Sequence, residues 1–219
     1  MSKYTSPDFS SAALITIDMQ QDTLNGQPLA IPGTSAILST LKSLLHSFRE
    51  TGQPIIHMMR IYKPDGSNVD LCRREQIEQG APWLLAGSSG CEIAPELLPD
   101  QACQLDMQRL LAGHIQHVGP QEVVIYKPRW GAFYQTPLEA YLRQLHVSTL
   151  LFTGCNFPNC PRTSIYEASE RDFRVVVVED AISGIYERGK EELRNIGVTI
   201  MKAENVRDQL LQAVFQEEG

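Results

Sequence analysis

The chain has 219 residues, 42% hydrophobic and 21% charged, the balance of a soluble globular protein long enough for one substantial core and not requiring two domains. No apolar run approaches the roughly 18 residues of a membrane span, and a net charge of −7 argues against a nucleic-acid backbone as the main partner. Five cysteines, an odd number without framework spacing, point to reduced thiols, and the polar opening MSKYTSPDFSS lacks the apolar stretch of a signal peptide, so a cytoplasmic location is expected.

In chain order, Ala12 to Asp18 reads as a buried strand ending in a carboxylate. A helix follows over Ser35 to Gly52, with Ile37, Leu41, Leu44, Leu45 and Phe48 at helical spacing and Gly52 as the stop. Further strands are predicted at Pro54–Arg60, Glu122–Lys127, Thr149–Gly154, Arg174–Asp180 and Val198–Ala203. Helices are predicted at Pro137–Leu145, Pro161–Arg171, Arg188–Asn195 and Val206–Phe215. Strands apolar on both faces and separated by helices imply one α/β/α sandwich over residues 1–219, around a mainly parallel sheet of roughly six strands. The long region from about 61 to 121 breaks this rhythm. Within it Leu105 to His117 is predicted as one extra helix, covering a sheet edge, a subunit contact or a site.

In a parallel α/β sheet, ligands collect beyond the carboxyl ends of the strands. Asp18, Lys127 and Cys160 each fall near such an end and could converge on one rim. Cys160 precedes Pro161, a residue favoured at the first helical position, so its sulfur is expected at a helix N-cap, where the dipole and a nearby cation would lower the thiol pKa. Each of the three has an ordinary structural reading; their joint placement favours chemistry. Arg60 and Tyr62 are candidates for gripping a polar or carboxylate end of a substrate. Trp130, Phe133 and Phe157 are candidate aromatic walls, although aromatics also serve cores and subunit contacts.

ITIDMQQDT, VIYKPRWGAFYQTPLEAYL and LLFTGCNFPNCPRTSIYEASERDFRVVVVEDAIS resemble, in order, the three signature regions of the isochorismatase-like cysteine hydrolases. The resemblance implies a Rossmann-like fold and an Asp18–Lys127–Cys160 triad. It also implies a cis peptide at Cys155–Asn156, an oxyanion hole of the Asn156 and Cys160 backbone N–H groups, and a homodimer or homotetramer. The implied activity is hydrolysis of a C–N bond in a small amide, ureido or carbamoyl compound through a thioester. Vinyl-ether hydrolysis and a noncatalytic binding or assembly role are the alternatives.

The chain departs from the family pattern at Thr23 and Leu24, where many members carry an aromatic. After the second strand it lacks the histidine pair of nicotinamidases. No metal or other cofactor is therefore expected. His57 reads as a satisfied strand histidine, and His114 and His117 as two residues of one helix face. The first strand is not followed by a glycine fingerprint, which sets aside a dinucleotide-binding reading. The expected partner is a small molecule, with neither nucleic acid nor membrane.

Overall fold

The computed structural model describes residues 2–100 and 103–217. Its centre is a seven-stranded sheet made of β1 (Ala12–Ile17), β2 (Ile55–Met59), β3 (Gln116–Gly119), β4 (Glu122–Tyr126), β5 (Thr149–Gly154), β6 (Arg174–Ile182) and β7 (Thr199–Met201). The strand order is β3-β4-β2-β1-β5-β6-β7, and all neighbours are parallel except β3 against β4.

Successive strand residues point to opposite faces. In β1, Ala12 and Leu14 enter one core and Ala13, Ile15 and Ile17 the other. The first core is closed by α1 (Leu38–Glu50) and α7 (Ala203–Glu217). The second is closed by α4 (Leu138–Gln144), α5 (Cys160–Ser169) and α6 (Glu187–Asn195). Two buried faces explain why these strands read as continuous apolar runs. Among the described residues, no helix is long and apolar enough to cross a membrane.

The region from 61 to 121 differs from the reading above in two ways. It contains α2 (Leu71–Glu78), and the single helix expected over Leu105–His117 is instead the short α3 (Met107–Leu111) followed by β3. Asp106 starts α3 by accepting from the Gln108 and Arg109 N–H groups at 3.1 and 3.0 Å, and Gly113 at φ 86° ends it. The chain then turns back along β4, so His114 and His117 share no helix face. The seventh strand is this partly exposed edge segment, too polar to announce itself in the sequence.

The rest of the excursion is tied to the end of β1 by the polar residues of the DMQQD stretch. Gln20 Nε2 donates to the Arg60 and Cys91 carbonyls at 2.7 and 2.6 Å, and its Oε1 accepts from the Arg60 N–H at 2.9 Å. Asp22 Oδ2 accepts from the Leu84 N–H at 2.7 Å. The segment from Tyr62 to Ile93 is thereby folded over the carboxyl edge of the sheet.

Candidate active site

β1 and β5 are adjacent, and the chain runs outward from them in both directions along the sheet. Such a switch point leaves a crevice beyond the strand ends. Asp18 leaves β1 at φ 51°, a left-handed conformation that aspartate tolerates better than most residues. Gly154, at φ 102°, ends β5 beside it; a Cβ there would lie 2.2 Å from the Ile17 carbonyl oxygen, so only glycine permits this approach.

Lys127 follows β4 and extends the ladder through its N–H to the Met59 carbonyl at 2.9 Å. Its side chain is fully buried, and its Nζ meets Asp18 Oδ2 at 2.9 Å and donates to the Arg129 carbonyl at 3.3 Å. Asp18 Oδ1 is buried and has no hydrogen-bond partner. Cys160 shares one cavity wall with Asp18. The three sequence candidates therefore converge.

Two expectations about Cys160 are corrected. It is the first residue of α5 and not the cap: Asn159 occupies that place at φ −113°, ψ −106°, and its carbonyl accepts from the Thr163 N–H at 3.0 Å. Its pKa is not lowered. Burial, and then the negative charge of Asp18, push the thiol up to about 11, outweighing Lys127 and Arg60. At rest the site therefore holds a thiol, with its proton, beside a carboxylate–ammonium pair.

The Cys155–Asn156 peptide, expected to be cis, is trans, as is every peptide bond among the described residues. The chain reverses instead through the positive φ of Gly154 and the unusual backbone of Asn159. The N–H groups of Cys155, Phe157 and Asn159 are taken by the carbonyls of Ile17, Ser183 and Asn156 at 2.9, 2.8 and 3.0 Å. Among the described residues, those of Asn156 and Cys160 have no backbone partner.

The cavity over Cys160 is small, at about 10 Å³, the room of one water. Trp130, Thr23, Arg73 and Asn156 are on its wall. Tyr62 and Arg60 lie behind that wall: both are buried, both reach the Asp70 carboxylate, and Arg60 stands 5.6 Å from the Trp130 ring centroid.

Phe133 and Phe157 are elsewhere, which corrects the expectation of aromatic walls there. Phe133 packs on Phe173 at 5.9 Å, because the loop after Trp130 crosses α5 closely at Gly131 and its N–H groups bind Ser164 and Glu167. Phe157 is fully buried in the second core, edge-on to Tyr186 at 5.4 Å.

The sequence reading missed Arg73. It lies on α2, a polar helix with no buried residue, so periodicity gave it no weight. All five cysteines are free. Among the described residues, no group of three or more His, Cys, Asp or Glu side chains could hold a metal ion. His57 is held between Thr16 and Glu122.

The isochorismatase domain matches residues 12–109 and 112–205, nearly the whole chain. The chain belongs to the isochorismatase family. An isochorismatase family protein from Desulfovibrio vulgaris has the same fold, with 30% identity and a TM-score of 0.78 over 92% of this chain and 98% of its own. Maleamate amidohydrolase of Pseudomonas putida is 28% identical across 78% of this chain and 71% of its own. An Arabidopsis thaliana protein named "Probable inactive nicotinamidase" is 26% identical across 86% of this chain and 90% of its own.

Proposed function

We propose that the protein is a metal-independent cysteine amidohydrolase that cleaves a C–N bond in a small amide, ureido or carbamoyl compound. The observation that carries this reading is that Asp18, paired with Lys127 at 2.9 Å, lines the same small cavity as Cys160 at the sheet's switch point. Amidohydrolases among the relatives add support.

Because burial keeps the proton on the resting thiol, a base must remove it as sulfur attacks. Asp18 is that base, held by Lys127, whose charge balances the carboxylate before and after the transfer. The Cys160 sulfur bonds to the carbonyl carbon, and the carbonyl π electrons move to oxygen beside the Asn156 and Cys160 N–H groups. The tetrahedral intermediate collapses as Asp18 returns its proton to the leaving nitrogen, and the C–N bond breaks. Water, deprotonated by the same carboxylate, then releases the acid from the thioester and restores the thiol.

The test is ammonia release from biuret, N-carbamoyl amino acids, ureidoacrylate-like compounds, nicotinamide and simple amides, by wild type and Cys160→Ser, with and without chelator. Release that is lost in Cys160→Ser and untouched by chelator supports the reading. Equal release by both proteins refutes the mechanism. A silent wild type directs attention to a vinyl ether such as isochorismate, or to a binding role.

A further inference from the structure

Arg60 is 1% exposed, yet only one of its three guanidinium nitrogens is engaged. Nη1 binds the Asp70 carboxylate and donates to the Pro128 carbonyl at 3.3 Å. Nε and Nη2 are buried without any hydrogen-bond partner. Unused donors on a buried cation are costly, and native structures satisfy such groups with protein, ordered water or a ligand.

Arg73 stands next to this group and on the cavity wall with Asp18 and Cys160. Its Nη1 donates to the Tyr62 hydroxyl at 3.0 Å, and that hydroxyl donates to Asp70 at 2.7 Å. The Arg60 and Arg73 guanidinium carbons lie 5.6 and 5.1 Å from the centroid of the same Trp130 ring. With the thiol neutral, the cations Arg60, Arg73 and Lys127, joined by the part-exposed Arg129 3.9 Å from Asp70, face two carboxylates, Asp18 and Asp70, and the cluster carries a surplus positive charge.

We propose that the substrate carries a carboxylate a few bonds from its scissile amide, and that Arg60 and Arg73 hold it at the Trp130 wall. This rests on the amidohydrolase reading above and narrows its substrate class to acidic amides. A planar carboxylate matches the guanidinium fork, fills the idle Arg60 donors and reduces the surplus charge. Asp70 is a positioning residue, since it fixes Arg60 through Nη1 and leaves the other nitrogens free. A cavity of about 10 Å³ is too small for such a substrate, so Trp130 or Arg73 must move on entry, and the ion pair formed with the substrate replaces their stacking.

The test separates binding from chemistry. Cys160→Ala protein is titrated calorimetrically with matched pairs: succinamate against succinamide, and N-carbamoylglycine against N-carbamoylglycinamide. At least one acid is expected to bind about 30-fold tighter than its neutral partner, the effect of one desolvated charge pair. That preference should drop about tenfold or more when Arg73→Gln is added, and should weaken with salt. Arg60→Lys serves as the second variant, with circular dichroism checking that each protein is folded.

Equal binding within every pair, no binding of any acid, or a preference that survives both arginine variants would overturn the proposal. The amidohydrolase reading fails differently: acids bind with an arginine-dependent preference, but wild type releases no ammonia from them.

Discussion

Two buried polar clusters stand within the same sheet and are built on opposite principles. The first joins Glu122, His57, Arg49 and Thr16. Arg49 Nε and Nη2 reach the two Glu122 oxygens at 2.8 and 2.7 Å, His57 Nε2 donates to Glu122 Oε1 at 2.7 Å, and His57 Nδ1 meets Thr16 Oγ1 at 2.8 Å. The second joins Asp18, Lys127, Arg60 and Asp70, and it keeps Asp18 Oδ1, Arg60 Nε, Arg60 Nη2 and Asp70 Oδ1 without hydrogen-bond partners. Both are largely buried and both carry opposite charges, so burial and pairing alone do not mark a site. Incompleteness does. A satisfied network rigidifies the fold, whereas unsatisfied groups are held ready for something the protein does not itself supply.

The sharpest way to break this comparison is Asp18→Asn. Loss of the base should lower kcat by about 10²–10⁴-fold, and because the fully buried Lys127 ammonium loses its counter-charge while keeping only an amide oxygen to bind, the melting temperature should fall as well. A kcat close to that of wild type in the folded variant would show that Asp18 belongs to the scaffold and is not the base.

The reciprocal change is Glu122→Ala. It leaves Arg49 and His57 without their shared partner and should cost about 3–5 kcal/mol in denaturant unfolding, with the kinetic constants of the folded protein little changed. The same carboxylate gives a pH signature. Burial would raise the Glu122 pKa, but hydrogen bonds from Arg49 and His57 and their charges bring it below the usual carboxylate value. Its contribution is therefore present above the unfolded-state pKa of about 4.3 and lost as pH falls through the lower folded value. Thermal melts below about pH 4.5 should fall less steeply for Glu122→Gln than for wild type.

The smallest effect concerns Cys160 itself. With its thiol held up to about 11 by burial and by Asp18, alkylation by iodoacetamide, followed on the Cys160 peptide, should be slow at neutral pH. It should rise about tenfold per pH unit before levelling. In Asp18→Asn, with the repelling charge gone and Lys127 remaining, the plateau should arrive at lower pH. A wild-type plateau already at pH 7 would contradict the structure.

Six of the strands were legible because two buried faces leave an unbroken apolar signature. β3 was not, since an edge segment reading QHVG carries neither alternation nor an apolar run. The helix expected across Leu105–His117 failed at Gly113, whose positive φ ends the apolar period begun by Leu110 and Leu111. Asp18, Lys127 and Cys160 could be found because strand ends are visible in a sequence and topology brings them to one rim.

The direction of the Cys160 shift was not legible. It depends on how deeply the sulfur is buried, which local sequence does not report. Arg73 escaped because α2 buries nothing of its own and looks like any solvated helix. Phe133 and Phe157 misled because proximity in sequence to Lys127 and Cys160 says nothing about which side of the backbone an aromatic ring takes.

The most direct measurement is an acid quench of wild-type protein during turnover of a hydrolysed amide, followed by intact and peptide mass spectrometry, with Cys160→Ala run alongside. A mass increase equal to the acyl fragment, confined to the Cys160 peptide and removed by hydroxylamine, should accompany ammonia release, and Cys160→Ala should show neither. Turnover that persists in Cys160→Ala would contradict the role assigned to this cysteine.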